Sequence, residues 1–141
     1  MNSDQVALIQ YSFAKIMPTA EEAAALFYGR LFEIAPEVEQ LFHGDMKEQR
    51  RKLMATLAVV VDGLTDLATI LPAASALAKR HVDYGVRAEH YAPVGVALLW
   101  MLERGLGAKW TSDLAAAWAN AYTTLSEYMI DEAYGRREAA E

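Results

Sequence analysis

Apolar positions recur at spacings of three and four along most of the chain, and no run alternates with the period of two that a half-buried strand needs. The first block covers residues 4–17, with Val6, Ile9, Phe13 and Ile16 on one face. Pro18 stops it, because proline disfavours helical geometry in the residue before it. Thr19 followed by Glu22 has the form of a capping box and predicts a second helix, which ends near Ala35. Pro36 suits a first helical position and opens a short third helix through Phe42. Gly44 and Asp45 mark a turn, after which a long helix is predicted over residues 47–67. Pro72 opens another that reaches His81 or a little beyond, and Gly85 breaks the chain again. The last two helices are predicted over residues 89–106 and 111–134, with Gly105 and Gly107 supplying the turn between them. The pattern is that of an all-α protein of six substantial helices and one short one. Helices of that number are common to many small proteins, so the periodicity alone names no family.

Composition narrows the picture. The 141 residues suit a single domain over 1–141, and a 54% hydrophobic content can fill its core without staples. With no cysteine, neither a disulfide nor a thiolate metal site can form, which is compatible with a cytoplasmic location. The formal net charge of -6 lacks the basic footprint of a nucleic-acid binder. Lys47, Arg50, Arg51 and Lys52 do cluster, but Glu48 interrupts them, and they are expected to form a solvated helix face. The N-terminus carries Asp4 and no basic leader before an apolar stretch, so no secretory signal is expected. The longest apolar runs, residues 53–61, 67–78 and 91–102, fall short of the roughly 17–25 residues of a membrane helix, so no membrane insertion is expected.

Three side chains stand out against this background. His81 ends an apolar stripe through Ala74, Leu77 and Ala78, where an imidazole is either hydrogen-bonded beside the core, complementing the helix dipole, or bound to something. Gln49 heads a stripe through Leu53, Leu57, Val60 and Leu64; it is either the solvated end of that helix or a buried amide that needs a partner. Tyr28 shares a face with Ala24, Leu31 and Phe32, so its ring is buried and its hydroxyl needs a partner, ordinarily a carbonyl.

The spacing of these residues resembles that of bacterial haemoglobins related to the globin domain of flavohaemoglobins. Leu26-Phe27-Tyr28-Gly29-Arg30-Leu31-Phe32 resembles that family's second helix, and Pro36-Glu37-Val38-Glu39-Gln40-Leu41-Phe42 its short third helix. Gln49-Arg50 followed by Leu53 resembles the distal helix. Arg80-His81, Gly85-Val86 and His90-Tyr91-Ala92-Pro93-Val94-Gly95 resemble the proximal helix and the segment after it. Ala117-Trp118-Ala119-Asn120-Ala121-Tyr122 resembles the last helix. The resemblance covers about residues 4–134, with every block in order.

It implies a globin fold around a haem b pocket. His81 is then the axial iron ligand, as imidazole is in globins. Phe42, Leu53, Leu57, Leu77, Val86 and Tyr91 would line the cofactor, and Arg80 could pair with a propionate. Tyr28 and Gln49 would face the ligand and hydrogen-bond oxygen, whereas His43 and His90 are expected to be partly exposed. The implied function is reversible binding of oxygen, with carbon monoxide and nitric oxide as further ligands. Nitric oxide dioxygenation would need a separate reductase, because no Gly-rich nucleotide-binding loop occurs in the chain. The alternative is a haem-based gas sensor or a globin-fold interaction module. The chain departs from the family on the proximal side. Relatives with a reductase place a last-helix glutamate near the tyrosine matching Tyr91; here that position holds Ala133, and Glu132 lies one residue earlier. One helical step turns a side chain by about 100°, which leaves the relay through Tyr91 in question.

Overall fold

The computed structural model of the chain describes residues 2–135; Met1 and residues 136–141 of the expected 1–141 domain lie outside the described residues. Six α-helices occur in the order α1 (Ser3–Ile16), α2 (Ala20–Ile34), α3 (Met46–Asp62), α4 (Leu67–Asp83), α5 (Tyr91–Leu106) and α6 (Ser112–Tyr134). No strand occurs among the described residues.

Local chemistry sets most of the boundaries. The side chains of Asn2, Asp45 and Thr111 accept amide hydrogen bonds at the starts of α1, α3 and α6 and satisfy donors with no partner inside the helix. The expected capping box at Thr19 does not form. The backbone there has ψ 36°, not the extended value a cap needs, and the Thr19 hydroxyl donates back to the Ile16 carbonyl at 3.1 Å. Pro36–Leu41 is a 3-10 helix rather than an α-helix.

The long helix ends at Asp62, short of the expected residue 67, where a 3-10 turn over Gly63–Thr65 meets the next helix. A Cβ on Gly63 would run into Ile70 Cγ2, so only glycine fits there. The following helix correspondingly starts at Leu67 and carries Pro72 in its interior instead of at its head. The proline forgoes one backbone hydrogen bond, to the Ala68 carbonyl. A 3-10 turn over Ala88–His90 precedes α5. Gly105 is not a turn residue but part of α5, where a Cβ would run into Ile16 Cδ1. Gly107, at φ +57°, makes the turn alone.

The main core draws on α1, α2, α3, α5 and α6, and Ile9, Ile16, Leu31, Met101 and Leu102 are fully enclosed in it. Each such aliphatic side chain contributes about 1.5–3 kcal/mol by leaving water. Its buried polar groups are paired: Trp118 Nε1 donates to Ser12 Oγ at 2.9 Å, and Ser12 in turn donates to the Ile9 carbonyl. The fourth helix stands apart. Ile70 and Ala78 are buried but do not join the main cluster, and α4 packs chiefly against α6. α3 packs against α2, and the consecutive helices α3 and α4 hardly touch. On the outside of α3, Arg51 pairs with Glu48 and Arg50 with Glu21, as a solvated basic face requires. No helix among the described residues is long and apolar enough to cross a membrane.

Candidate functional site

One wall of the site is aromatic. α2 carries Tyr28 and Phe32, and the 3-10 helix ends at Phe42. The Tyr28 and Phe42 rings meet edge to face at 5.4 Å, Phe32 lies 5.5 Å from Phe42, and Phe27 backs Tyr28 at 4.9 Å. Such pairs favour fixed geometry beyond the area they bury. Leu53 and Leu57 of α3 stay half-buried at the edge of this cluster.

Gln49, at the head of α3, reaches the buried Tyr28. Its Nε2 donates to the Tyr28 hydroxyl oxygen at 3.5 Å, so of the two alternatives for Gln49 the buried partner holds. The ordinary expectation for Tyr28, a bond to a carbonyl, is not met. Its oxygen accepts from Gln49, which leaves its own O–H proton free to donate. Burial pushes the Tyr28 hydroxyl above its usual pKa against a smaller opposing effect of Gln49, and so keeps that proton in place.

His81 stands on α4, close to its C-terminal end. The helix closes in a Schellman arrangement: the Val86 amide donates to the His81 carbonyl at 2.9 Å and the Gly85 amide to the Val82 carbonyl at 3.0 Å, with Gly85 at φ +96°. The last turn carrying the imidazole is thereby locked at its backbone. A Cβ on Gly85 would press on Leu41 Cδ2 at 3.2 Å, which brings this turn against the segment that ends in Phe42.

The His81 ring is half-buried, and its Nδ1 is enclosed without a hydrogen-bond partner. Burial pushes the imidazole below its usual pKa and the Arg80 charge does the same. The Leu77 carbonyl one turn back acts the other way without closing a hydrogen bond to Nδ1. The ring is therefore neutral, the form that binds iron. Leu77 and Val86 are half-buried beside it and Arg80 is exposed. Tyr91 is buried, its ring stacked 6.5 Å from that of His81, and its hydroxyl also lacks a partner. Burial, helped by Tyr134, pushes the Tyr91 hydroxyl up to about 12.

Glu132 neither reaches Tyr91 nor only faces solvent. Its carboxylate accepts from the Ser75 hydroxyl at 2.7 Å. His43 is exposed, and His90 uses Nδ1 to accept the Arg87 amide at 3.0 Å, so neither competes with His81. Sequence reasoning missed Ser75, Tyr134 and the bond by which exposed Glu132 reaches buried Ser75. The available signal was a lone serine inside the apolar stretch of α4, which a buried site tolerates only with a partner.

These residues fit a haem. No cluster of three or more histidine, aspartate or glutamate side chains able to hold a metal ion occurs among the described residues, so a metal at His81 would draw most of its donors from a cofactor. A porphyrin supplies four. α3 and α4 hardly touch, and Leu53, Leu57, Leu77 and Val86 are half-buried apolar side chains of the kind that line a flat apolar group. Two open surface clefts beside α1 share no residue with this group.

A globin family profile matches residues 25–129. The Bordetella parapertussis protein called flavohemoprotein is 35% identical over 127 residues, covering 88% of this chain and 32% of that protein. The chain thus spans about a third of the length of such relatives. Neuroglobin of Tetraodon nigroviridis is 28% identical, with 89% of this chain and 87% of its own length covered. A bacterial globin from Campylobacter jejuni, 23% identical, superposes with a TM-score of 0.80 over 99% of this chain and 100% of its own, which speaks to the fold. An engineered carbene transferase from Rhodothermus marinus gives 0.83 at 26% identity over 100% and 99% of the two chains. With the profile spanning most of the six-helix arrangement, the chain belongs to the globin family, whose members hold haem iron through a proximal histidine.

Proposed function

We propose that this chain binds haem b as a single globin unit, with His81 as the iron ligand, and takes up oxygen reversibly on the side of Tyr28 and Gln49. The observation that carries this is the Gln49-to-Tyr28 hydrogen bond, which leaves the Tyr28 proton as a free donor in an aromatic wall. Haem iron supplies the site where a diatomic gas binds and the one-electron chemistry of its turnover. Everything else falls to the protein.

Phe42, Leu53, Leu57, Leu77, Val86 and Tyr91 exclude water from the cofactor, and exposed Arg80 is placed to meet a propionate. Neutral His81 anchors the iron. Tyr28 and the Gln49 amide supply fixed donors to negative charge on the gas, in a site where each hydrogen bond counts for more than in water. Carbon monoxide and nitric oxide fit the same apolar space.

The chain's second proposed activity is nitric oxide dioxygenation. Nitrate takes both atoms of oxygen and one electron from the protein, so repeated turnover needs a separate reductase. Similarity to flavohemoproteins and to the Rhodothermus protein, whose parent is described as a candidate nitric oxide dioxygenase, supports this. The site of action we propose is the cytoplasm.

One preparation tests the proposal. Haem-loaded protein should show a ferrous spectrum without a second nitrogen ligand and should bind oxygen and carbon monoxide reversibly. Mixed with nitric oxide, the oxygen-saturated protein should yield nitrate once, and repeatedly only with a reductase present. No haem band would sink the whole proposal. Gas binding without nitrate would leave an oxygen carrier or sensor.

A further inference from the structure

Three polar contacts tie the segment that carries His81 to the last helix. The Ser75 hydroxyl donates to the Glu132 carboxylate at 2.7 Å, the Tyr134 hydroxyl donates to the Val86 carbonyl, and the Tyr122 hydroxyl donates to the Tyr91 carbonyl. Ser75 precedes His81 on α4 and Val86 comes after it, so the first two contacts bracket the imidazole. The main core reaches α4 only at its start, through Leu67, because the buried residues of α4 lie outside the main cluster. The imidazole itself has no partner at Nδ1, and the Tyr91 hydroxyl beside it has none either. No side-chain hydrogen bond therefore orients the ring; beyond its packing against Tyr91, its direction depends on how α4 is held.

The helix geometry makes Ser75 an effective handle. Six residues at about 100° each place Ser75 roughly 120° around the axis from His81. Ser75 thus faces α6 with buried Ala78 while His81 points to one side. A hydrogen bond at Ser75 fixes the rotation of α4 about its own axis, and that rotation aims the imidazole. The bond is short and to a carboxylate, the stronger kind.

We propose that Glu132 and Tyr134 are positioning residues for the proximal histidine, acting through Ser75 and the Val86 carbonyl rather than through Tyr91. This rests on the haem proposal above. The carboxylate acts here by holding a helix, not by polarising the imidazole. An amide oxygen can still accept from Ser75, though less strongly than a carboxylate, and so still hold the helix, whereas a charge effect on the ring would need the carboxylate itself.

The experiment compares Ser75→Ala, Glu132→Ala, Glu132→Gln and Tyr134→Phe in the ferrous haem-loaded protein. The readouts are the iron–histidine stretching band and the rate of haem loss. Ser75→Ala and Glu132→Ala should shift the band together and speed haem loss about tenfold, the effect of one charge-assisted bond. Glu132→Gln should fall between the parent and Glu132→Ala, and Tyr134→Phe should move the same way as Glu132→Ala by less. An unshifted band in Ser75→Ala, or Glu132→Gln behaving like Glu132→Ala, would overturn the proposal. The His81 ring resonances of the apoprotein give a second readout that needs no haem, and Ser75→Ala should move them. Failure of the parent to bind haem would remove the functional proposal while these resonances still decide whether Ser75 aims the ring.

Discussion

The two sides of the site are built by opposite means. The Tyr28 wall is part of the continuous core: Phe27, Tyr28 and Leu31 are buried in the main cluster, Phe42 packs against it, and α2 lies along α5. The His81 side is a helix outside that cluster, held by its contact with α6, by polar bonds and by the loop at Gly85. A wall of interlocked rings keeps its shape without a ligand. A helix that packs mainly on one neighbour outside the main cluster has fewer apolar contacts to lose and opens more easily. The Tyr28 wall is therefore preformed, and the His81 helix is completed by what binds to it.

The strongest way to break this contrast is to remove the cofactor. Amide exchange in α4 should then accelerate while α2 and α5 change little. Ligand at a thousand times its Kd stabilises by about 4.1 kcal/mol, so up to about a thousandfold loss of protection is expected in α4. His81→Ala should reproduce the effect by weakening haem retention, with added imidazole restoring it. Uniform loss of protection across all six helices would show that the two sides are one cooperative unit.

A second test acts on the other side. Tyr28→Phe removes the free donor and should raise the oxygen release rate about ten- to a hundredfold, the value of one hydrogen bond to a charged acceptor. Gln49→Leu should do the same or less, because its bond to Tyr28 is long at 3.5 Å. Neither should alter exchange in α4. The pH dependence has a definite sign. The Tyr28 hydroxyl titrates above its usual 10.0 in the folded protein, so the neutral form favours folding. That contribution is complete below pH 10 and is lost as the pH rises through the folded value. Slow oxygen release should therefore persist through pH 10 in stopped-flow measurements; a rise already below that point would mean the donor is not buried Tyr28.

The contrast also explains what the sequence disclosed. The helices that build the core announced themselves, because a continuous apolar face leaves a three-and-four pattern: Val6, Ile9, Phe13 and Ile16 are all buried as that pattern requires. Gln49 and Tyr28 were each legible as a polar residue on an apolar face, but their bond to one another was not. Boundaries failed where tertiary contact overrode a local signal. Pro72 reads as a helix start, yet α4 begins earlier because Ile70 packs onto Gly63. Gly105 reads as a turn, yet it lets α5 approach Ile16. The contacts of the proximal side were hidden for a different reason. They join Ser75 to Glu132 and Val86 to Tyr134, pairs about fifty residues apart that no periodicity links.

The finest test uses two glycines of one helix, each touching a different side. In α5, a Cβ on Gly105 would run into Ile16 Cδ1, and one on Gly95 would lie 2.7 Å from the Tyr122 ring. Ile16 is fully enclosed in the main core and has little room to retreat. Overpacking of this kind costs about 1–3 kcal/mol, offset by the roughly 1 kcal/mol by which alanine exceeds glycine in a helix. Gly105→Ala should thus lower the melting temperature by a few degrees and leave the proximal spectrum alone, since Ile16 belongs to the core. Gly95→Ala should cost a similar amount but also displace Tyr122, whose hydroxyl holds the Tyr91 carbonyl at the head of α5. Its iron–histidine band should therefore move, while its oxygen release rate stays near the parent because the Tyr28 wall is untouched. If both substitutions gave the same spectrum and differed only in melting temperature, the polar ties between α6 and the proximal segment would have no bearing on His81, and the two sides would differ in composition but not in how they are held.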